Sequence, residues 1–397
     1  MSRFDRQTFP TTQAEPEQAF LVGVEPKNSD SNWPIEGSMA ELSYLAQTAG
    51  AQVVGKLTQK VESPSPSHYL GKGKLKELIA IRQQYPYSVV IFNDELSPRQ
   101  QRNLEDALQV KVIDRTALIL DIFARRAKTR EGQLQVELAQ HQYLLPRLAG
   151  QWSHLERLGG GIGTRGPGES QLETDRRLIR NRIHRLNTQI EAVRQHRALY
   201  RQKRKKNRIP VVALVGYTNA GKSTLLNALS NAGVPVENRL FSTLDPVTRR
   251  LTLPDKRYFL LTDTVGFIHK LPPSIVAAFR ATLEELEEAD LLLHIVDITH
   301  INAPEQFQTV EKILADLHLD TKPRLVVVNK LDLVVQGEAE LKSISLPLTL
   351  PHIQAVMVSA YKAWGLDELL HKIAEYLDIA QPSETRVRVD ATAASRN

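Results

Sequence analysis

The stretch VVALVGYTNAGKSTLLNALS, residues 211–230, decides how the rest of this 397-residue chain is interpreted. Its centre, Gly216–Ser223, fits the pattern G-x-x-x-x-G-K-[ST] between a strand-like apolar run and a helix-like run. The glycines of such a loop let backbone N–H groups surround a phosphate at a helix N-terminus. Lys222 is then expected to reach the β- and γ-phosphates, and Ser223 to offer its hydroxyl to Mg²⁺. The stretch predicts a P-loop nucleotide site in an α/β domain.

Three short stretches further along stand in the order expected of a GTPase, each after an apolar run. DTVG at 263–266 follows YFLLT, so its carboxylate can hold Mg²⁺ through water and the Gly266 N–H can bond the γ-phosphate. NKLD at 329–332 follows RLVVV. There Asp332 can accept from guanine N1–H and the exocyclic amine, a donor pair that adenine lacks. SAY at 359–361 follows AVMV, where a backbone N–H can meet guanine O6.

A threonine between the P-loop and residue 263 is needed to complete the Mg²⁺ coordination. Thr243 is the predicted ligand, with Thr248 as its rival. The predicted GTP-binding residues are Gly216, Tyr217, Thr218, Asn219, Ala220, Gly221, Lys222, Ser223, Thr224, Thr243, Asp263, Thr264, Val265, Gly266, Asn329, Lys330, Leu331, Asp332, Ser359, Ala360 and Tyr361. Among them Ser223, Thr243 and Asp263 (through water) are the predicted magnesium ligands, and Lys222 and Gly266 the predicted catalytic residues.

The residue after the DTVG stretch is Phe267, where some GTPases have a glutamine that orients the attacking water. Phenylalanine cannot orient water by hydrogen bonding. We therefore expect slow hydrolysis by the protein alone and stimulation by a partner.

The hydrophobic pattern divides the chain into three folded parts between two polar ends, 1–17 and 381–397, that are expected to be disordered. Residues 18–113 alternate short strands with helices and predict a small N-terminal α/β domain. Residues 114–208 predict an antiparallel helical hairpin, because Leu134 and Leu138 lie at helical spacing and a heptad-like series runs from Ile179 to Val193. Residues 209–380 predict a Ras-like, doubly wound P-loop GTPase domain with five strands. The fold class is thus α/β.

The middle segment carries all of the excess positive charge. Residues 114–208 contain 21 basic and 9 acidic residues, a net charge of +12, whereas the remainder contains 30 basic and 36 acidic residues. This asymmetry, with the cluster KRKK at 203–206, favours a nucleic-acid partner for the hairpin.

A glycine-rich run, GGGIGTRGPGES at 159–170, matches the dinucleotide fingerprint G-x-G-x-x-G but fails on context. Neither a β-branched strand before it nor a second strand ending in an acidic residue is present. Residues 159–168 are instead predicted to be the tip loop of the hairpin, where missing side chains permit close approach to RNA. The predicted RNA contacts are Gly161, Gly163, Arg165 and Gly166. A merely flexible turn is the alternative.

Several classes of protein are excluded by composition. The chain has no cysteine, so disulfides and thiolate metal sites are impossible. Its histidines form no metal-binding pair such as H-x-x-x-H. Neither a signal peptide nor an apolar run of the length that a membrane span needs is apparent. A soluble, cytoplasmic and monomeric protein without membrane insertion is expected.

The quoted motifs, together with GGGIGTRGPGESQLETDRR at 159–177 and LFSTLDPVTRR at 240–250, resemble the HflX family of the Obg–HflX group. The resemblance spans roughly residues 20–380. It implies binding to the large ribosomal subunit and its ribosomal RNA in the GTP state, with splitting or rescue of ribosomes under stress. It also implies GTP and Mg²⁺ as cofactors, stimulation of hydrolysis by that subunit, and the roles given above for the matching residues.

Two other functions remain open at this point. One is a GTP-gated adaptor that binds RNA or the ribosome without splitting it. The other is an ATP-driven RNA remodeller that uses the N-terminal domain, where GKGKLKEL at 71–78 is basic and contains glycine but lacks a P-loop.

Overall fold

The computed structural model describes residues 16–27, 33–148, 167–206, 209–230, 240–272, 275, 280–343 and 354–380. Of the predicted disordered ends and tip loop, residues 1–15, 159–166 and 381–397 lie outside these residues. Within the described ranges, none of the helices combines the length and apolar character that crossing a bilayer requires.

The N-terminal part is a parallel sheet with helices on both faces. Its elements are β1 (Gln18–Pro26), α1 (Ile35–Thr48), β2 (Gln52–Val61), α2 (Lys72–Ile81), β3 (Val89–Phe92), α3 (Pro98–Leu108) and β4 (Lys111–Asp114), with strand order β2-β1-β3-β4. Successive side chains of β1 point to opposite faces, as a strand requires. Leu21 is buried in the cluster that contains α1, and Val22 in the cluster that contains α2 and α3. Helix α3 begins at Pro98 after the N-cap residue Ser97, which forms a capping box with Gln100.

Three helices follow this sheet: α4 (Arg115–Arg126), α5 (Arg130–Leu144) and α6 (Pro167–Lys206). Helix α4 packs against α1. Leu134 and Leu138 of α5 pack with Leu186 of α6. Their ion pairs run in reverse order along the two helices, since Glu137 meets Arg182 and Glu131 meets Arg197. The helices are therefore antiparallel, while the connection between them lies outside the described residues.

The last part is a six-stranded sheet in the order β10-β9-β8-β5-β7-β6. Its elements are β5 (Val211–Gly216), α7 (Lys222–Ser230), β6 (Val247–Thr252), β7 (Tyr258–Asp263), α8 (Arg280–Glu288), β8 (Leu291–Asp297), α9 (Ala303–Asp316), β9 (Arg324–Asn329), β10 (Ala355–Met357) and α10 (Leu366–Ala380). All pairs are parallel except β6 with β7. The chain leaves β5 toward β7 on one side and continues toward β8 on the other. This topological switch point is where open α/β sheets bind ligands, at the carboxyl ends of the strands.

The structure corrects the sequence analysis in two places. Strand β6 was not expected, because its sequence VTRRLT is polar and only Leu251 of it is buried. An edge strand of this kind lacks the apolar signal of the central strands. Pro167 and Gly168, expected at the end of the tip loop, instead belong to helix α6, which begins at Pro167.

The N-terminal and GTPase parts share one apolar core. The cluster that contains α1 and α4 continues into β5 and the residues after β7. Phe123 of α4, for example, meets the ring of Phe241 edge-on, with 4.8 Å between the ring centroids. The two parts are therefore packed against each other.

Candidate functional site

The loop from Gly216 to Lys222 joins β5 to α7 at the switch point, and it requires glycine at both ends. Gly221 has φ +97°, and a Cβ there would lie 2.2 Å from the Asn329 side-chain nitrogen. A Cβ on Gly216 would lie 2.4 Å from the carbonyl oxygen of Ile295. Since side chains rarely fit such conformations or spaces, the backbone can approach a ligand closely only with glycine at these positions.

Lys222 is buried with its ammonium group inside the loop. Nζ donates to the carbonyl oxygens of Tyr217, at 2.8 Å, and Gly216, at 3.2 Å. Burial lowers the pKa of Lys222 to about 8, against the opposing effect of Asp263. An anionic phosphate beside this amine favours its charged form, so phosphate binding and a protonated Lys222 are mutually stabilising.

The three predicted magnesium ligands meet at one point. Ser223 Oγ lies 2.8 Å from Thr243 Oγ1 and 2.6 Å from Asp263 Oδ2, and Thr243 Oγ1 lies 2.9 Å from Asp263 Oδ2. Two oxygens that bind one octahedral ion directly at 2.0–2.1 Å stand about 2.9 Å apart, close to the 2.8 Å between the Ser223 and Thr243 hydroxyl oxygens. The rival Thr248 lies elsewhere, with its hydroxyl 2.9 Å from that of Thr262 in the β6–β7 pair.

The chemistry of Asp263 also fits a divalent cation. Its Oδ1 is buried and has no hydrogen-bond partner among the described residues. Burial raises the pKa of this carboxyl group, with Lys222 acting in the opposite direction. A cation would offset that desolvation. In the described ranges no cluster of three His, Cys, Asp or Glu side chains could hold a metal, so these hydroxyl and carboxylate oxygens are the candidates.

The segment after β7 lies directly on the P-loop. The Phe267 N–H donates to the Gly216 carbonyl at 3.0 Å, and the Thr218 N–H donates to the Phe267 carbonyl at 2.8 Å. A Cβ on Gly266 would lie 2.7 Å from Thr218 Cα and 2.9 Å from Lys222 Nζ. Gly266 is thus held beside the predicted γ-phosphate position. The Phe267 side chain is buried in the shared core, away from any attacking water.

The predicted guanine loops converge on the other end of the P-loop. Asn329 Nδ2 donates to the Ala220 carbonyl at 2.9 Å, and Asn329 Oδ1 accepts from the Ala360 N–H at 3.0 Å. One amide therefore braces the P-loop and the 359–361 loop together. Asp332 Oδ1 accepts from the Ser359 hydroxyl at 2.6 Å.

One contributor was missed by sequence analysis. Asp297, the last residue of β8, forms a 2.7 Å ion pair with Lys330 and holds the lysine that is expected to lie along the base. A carboxylate at the end of an apolar strand, as at residue 263, was the available signal. Leu331 was predicted as a GTP contact, and its side chain is fully buried. The predicted RNA contacts at 161–166 lie outside the described residues.

Comparison with known proteins identifies the family of the chain. Three family models match consecutive parts of the chain: "GTP-binding GTPase N-terminal" at 36–124, "GTP-binding GTPase Middle Region" at 126–204, and "50S ribosome-binding GTPase" at 211–330.

Relatives with one common name extend over most of the chain. "GTPase HflX" of Caldanaerobacter subterraneus is 52% identical over 91% of this chain and 81% of the relative. "GTPase HflX" of Alkalihalophilus pseudofirmus is 55% identical over 81% and 75%, respectively. A solved GTP-binding protein from Sulfolobus solfataricus in complex with GDP is 25% identical over 91% of this chain and 98% of that chain, with a TM-score of 0.44.

Proposed function

This chain belongs to the HflX family of P-loop GTPases, and we propose that it uses GTP to control binding to the large ribosomal subunit. We further propose that it splits or rescues ribosomes under stress. The description "50S ribosome-binding GTPase" for the family matched at 211–330 supports the choice of partner.

The observation that carries this proposal is helix α6. It extends over 40 residues, and its basic side chains include Arg177 and Arg185, which are exposed and form no ion pair with a described residue. Free guanidinium groups along a helix are suited to the phosphates of ribosomal RNA. The α5–α6 pair would then present the predicted tip loop, with Gly161, Gly163, Arg165 and Gly166, to the RNA.

The hydrolytic roles follow from the geometry of the four loops. Lys222 holds the β- and γ-phosphates, the Gly266 N–H senses the γ-phosphate, and Asp332 selects guanine over adenine. Ser223 and Thr243, with Asp263 through water, would hold Mg²⁺, which would supply charge stabilisation on the phosphates. Because the buried Phe267 leaves no glutamine to orient water, hydrolysis is slow until the partner is bound.

Charge reversal on α6 tests the proposed surface. Arg177→Glu combined with Arg185→Glu is expected to weaken binding to isolated large subunits by about tenfold or more, because two phosphate contacts become repulsive. It should also reduce the salt dependence of binding and the stimulation of GTPase activity. Sedimentation and GTPase assays with and without large subunits measure both effects.

The matched control combines Arg249→Glu with Lys256→Glu, which makes the same charge change on exposed residues of the β6–β7 pair. Equal loss of binding in both variants would contradict a role of α6 and indicate a general effect of net charge. GTPase activity that is as fast alone as with large subunits would contradict the stimulation.

Light scattering of intact ribosomes distinguishes splitting from docking. A fall in scattering on addition of protein and GTP is expected. Binding without a change in scattering would instead support the GTP-gated adaptor.

A further inference from the structure

The P-loop residue Tyr217 is tied to the N-terminal domain. Its side chain is buried, and its hydroxyl donates to Glu41 Oε1 of helix α1 while accepting the His269 backbone N–H at 2.7 Å. Burial raises the pKa of Tyr217 well above its ordinary value, and Glu41 acts in the same direction. The hydroxyl therefore keeps its proton and remains a donor to the carboxylate.

Arg115, the first residue of α4, closes these contacts into a ring. Its Nη2 donates to Glu41 Oε2 and, at 3.0 Å, to the His269 carbonyl. Nη1 donates at 3.0 Å to Asn93 Oδ1. Both backbone groups of His269 are thus held, one by Tyr217 and one by Arg115. With Arg115 only 1% exposed, the ring is shielded from water, and its charged hydrogen bonds are of the stronger kind.

The ring joins the two loops that are expected to touch the phosphates. Tyr217 directly precedes Thr218 in the P-loop, and His269 comes three residues after Gly266. Between them, backbone hydrogen bonds tie Phe267 to Gly216 and Thr218. Gly266 lies so close to the P-loop that a Cβ on it would meet Thr218 Cα at 2.7 Å and Lys222 Nζ at 2.9 Å.

We propose that Glu41 is a positioning residue for GTP hydrolysis: through Tyr217 and Arg115 it holds the segment after Gly266 against the P-loop, so that the Gly266 N–H meets the γ-phosphate. The N-terminal domain then completes the hydrolytic site without touching the nucleotide. The inference rests on the proposed role of Gly266 and is independent of ribosome binding. A small misplacement at a reacting centre is enough to lower the rate of chemistry.

The test uses the full chain without ribosomes, in single-turnover GTPase assays with enzyme in excess. Glu41→Gln preserves the shape of the side chain but removes its charge. It is expected to lower the rate of hydrolysis by about tenfold, an effect typical of a misplaced catalytic group. Affinity for GDP should change less than about twofold, while that for a non-hydrolysable GTP analogue falls, because Gly266 meets only the γ-phosphate.

Tyr217→Phe removes the donor of the hydrogen bond to Glu41 and also the acceptor of the His269 N–H. Both variants should slow hydrolysis, and the double variant should be no worse than Tyr217→Phe alone, since they act on one ring. Glu62→Gln, an exposed N-terminal-domain residue paired with Lys27, is the matched control and should keep full activity.

Three results would overturn the proposal. Unchanged hydrolysis in Glu41→Gln and Tyr217→Phe would show that the ring does not act on the site. Equal losses of GDP and GTP-analogue affinity would show a general loss of structure. Additive effects in the double variant would show that the two residues act separately.

Discussion

The N-terminal sheet and the GTPase sheet are both flanked by helices on two faces, yet only the second has a phosphate loop. In the GTPase sheet the loop follows the central strand β5 at the switch point and encloses the buried Lys222. In the N-terminal sheet the basic, glycine-containing stretch at 71–78 follows the edge strand β2. Its Lys74 lies on the surface and pairs with Glu77. A helix N-terminus with glycine and lysine is therefore not enough to form a phosphate site. The position of the loop in the sheet and the path of its backbone determine whether a phosphate can bind.

The N-terminal loop is also occupied by its own contacts. The Gly71 N–H is bonded to Gln59 Oε1 at 3.0 Å, so one of the donors that a phosphate would need is already used. In the P-loop, by contrast, the Lys222 ammonium group donates to the carbonyl oxygens of Gly216 and Tyr217, which a phosphate can replace. This difference argues against the ATP-driven remodeller, whose nucleotide would have to bind in the N-terminal sheet.

The largest effect is expected from Lys222→Ala, which removes the buried cation from the GTPase sheet. Loss of its charged hydrogen bonds to two phosphates should weaken GTP binding by about a hundredfold or more. Fluorescence titration with a labelled GTP measures the change. Lys74→Ala, the matched variant in the other sheet, should bind GTP normally. If ATP turnover survived Lys222→Ala but was lost in Lys74→Ala, the N-terminal sheet would hold a second nucleotide site, contrary to the difference between the two sheets described above.

A smaller effect is expected from Thr243→Ala, which keeps the P-loop but removes one hydroxyl from the oxygen cluster. Turnover of GTP should fall by roughly 10- to 100-fold, the range found for changes around metal centres. A raised Mg²⁺ requirement should accompany the loss. A Mg²⁺ titration of GTPase activity checks this, with Thr248→Ala as the control. If Thr248→Ala gave the larger defect, the assignment of Thr243 would be wrong.

The sequence allowed the nucleotide loops to be predicted because each occupies a short run with local geometry. The glycine spacing determines the backbone path of Gly216–Ser223. The apolar strands place residues 263 and 329 at the carboxyl ends of the strands, on the same side of the sheet. Membership of the HflX family and the α/β fold were predicted correctly.

The contacts between the N-terminal and GTPase parts could not be predicted from a short sequence pattern. Glu41 and Arg115 are 74 residues apart and carry charges, and charged residues in helices are usually exposed. Nothing in their local sequence indicates that they are buried as a pair. Asp297 and strand β6 were not predicted for a related reason. The ion pair of Asp297 with Lys330 and the pairing of β6 with β7 both depend on tertiary structure.

The smallest effect concerns the exposed contact between the two parts of the molecule, at Asp245. Its carboxylate accepts the N–H groups of Lys128 and Thr129, both at 2.8 Å, and the Thr129 hydroxyl, just where α5 begins. Asp245 stands two residues after Thr243, so one short segment reaches both the oxygen cluster and the hairpin helix. Asp245→Ala removes the acceptor of these hydrogen bonds, and hydrogen exchange of the two amides should become roughly fivefold faster, as for a lost hydrogen bond of about 1 kcal/mol. GTP affinity should hardly change, and Asp121→Asn, which alters an exposed carboxylate of α4, should leave both amides protected.

If Asp245→Ala weakened GTP binding as much as Thr243→Ala, the N-terminal part would itself contribute to nucleotide affinity. The conclusion that nucleotide binding depends on the GTPase sheet alone would then be wrong.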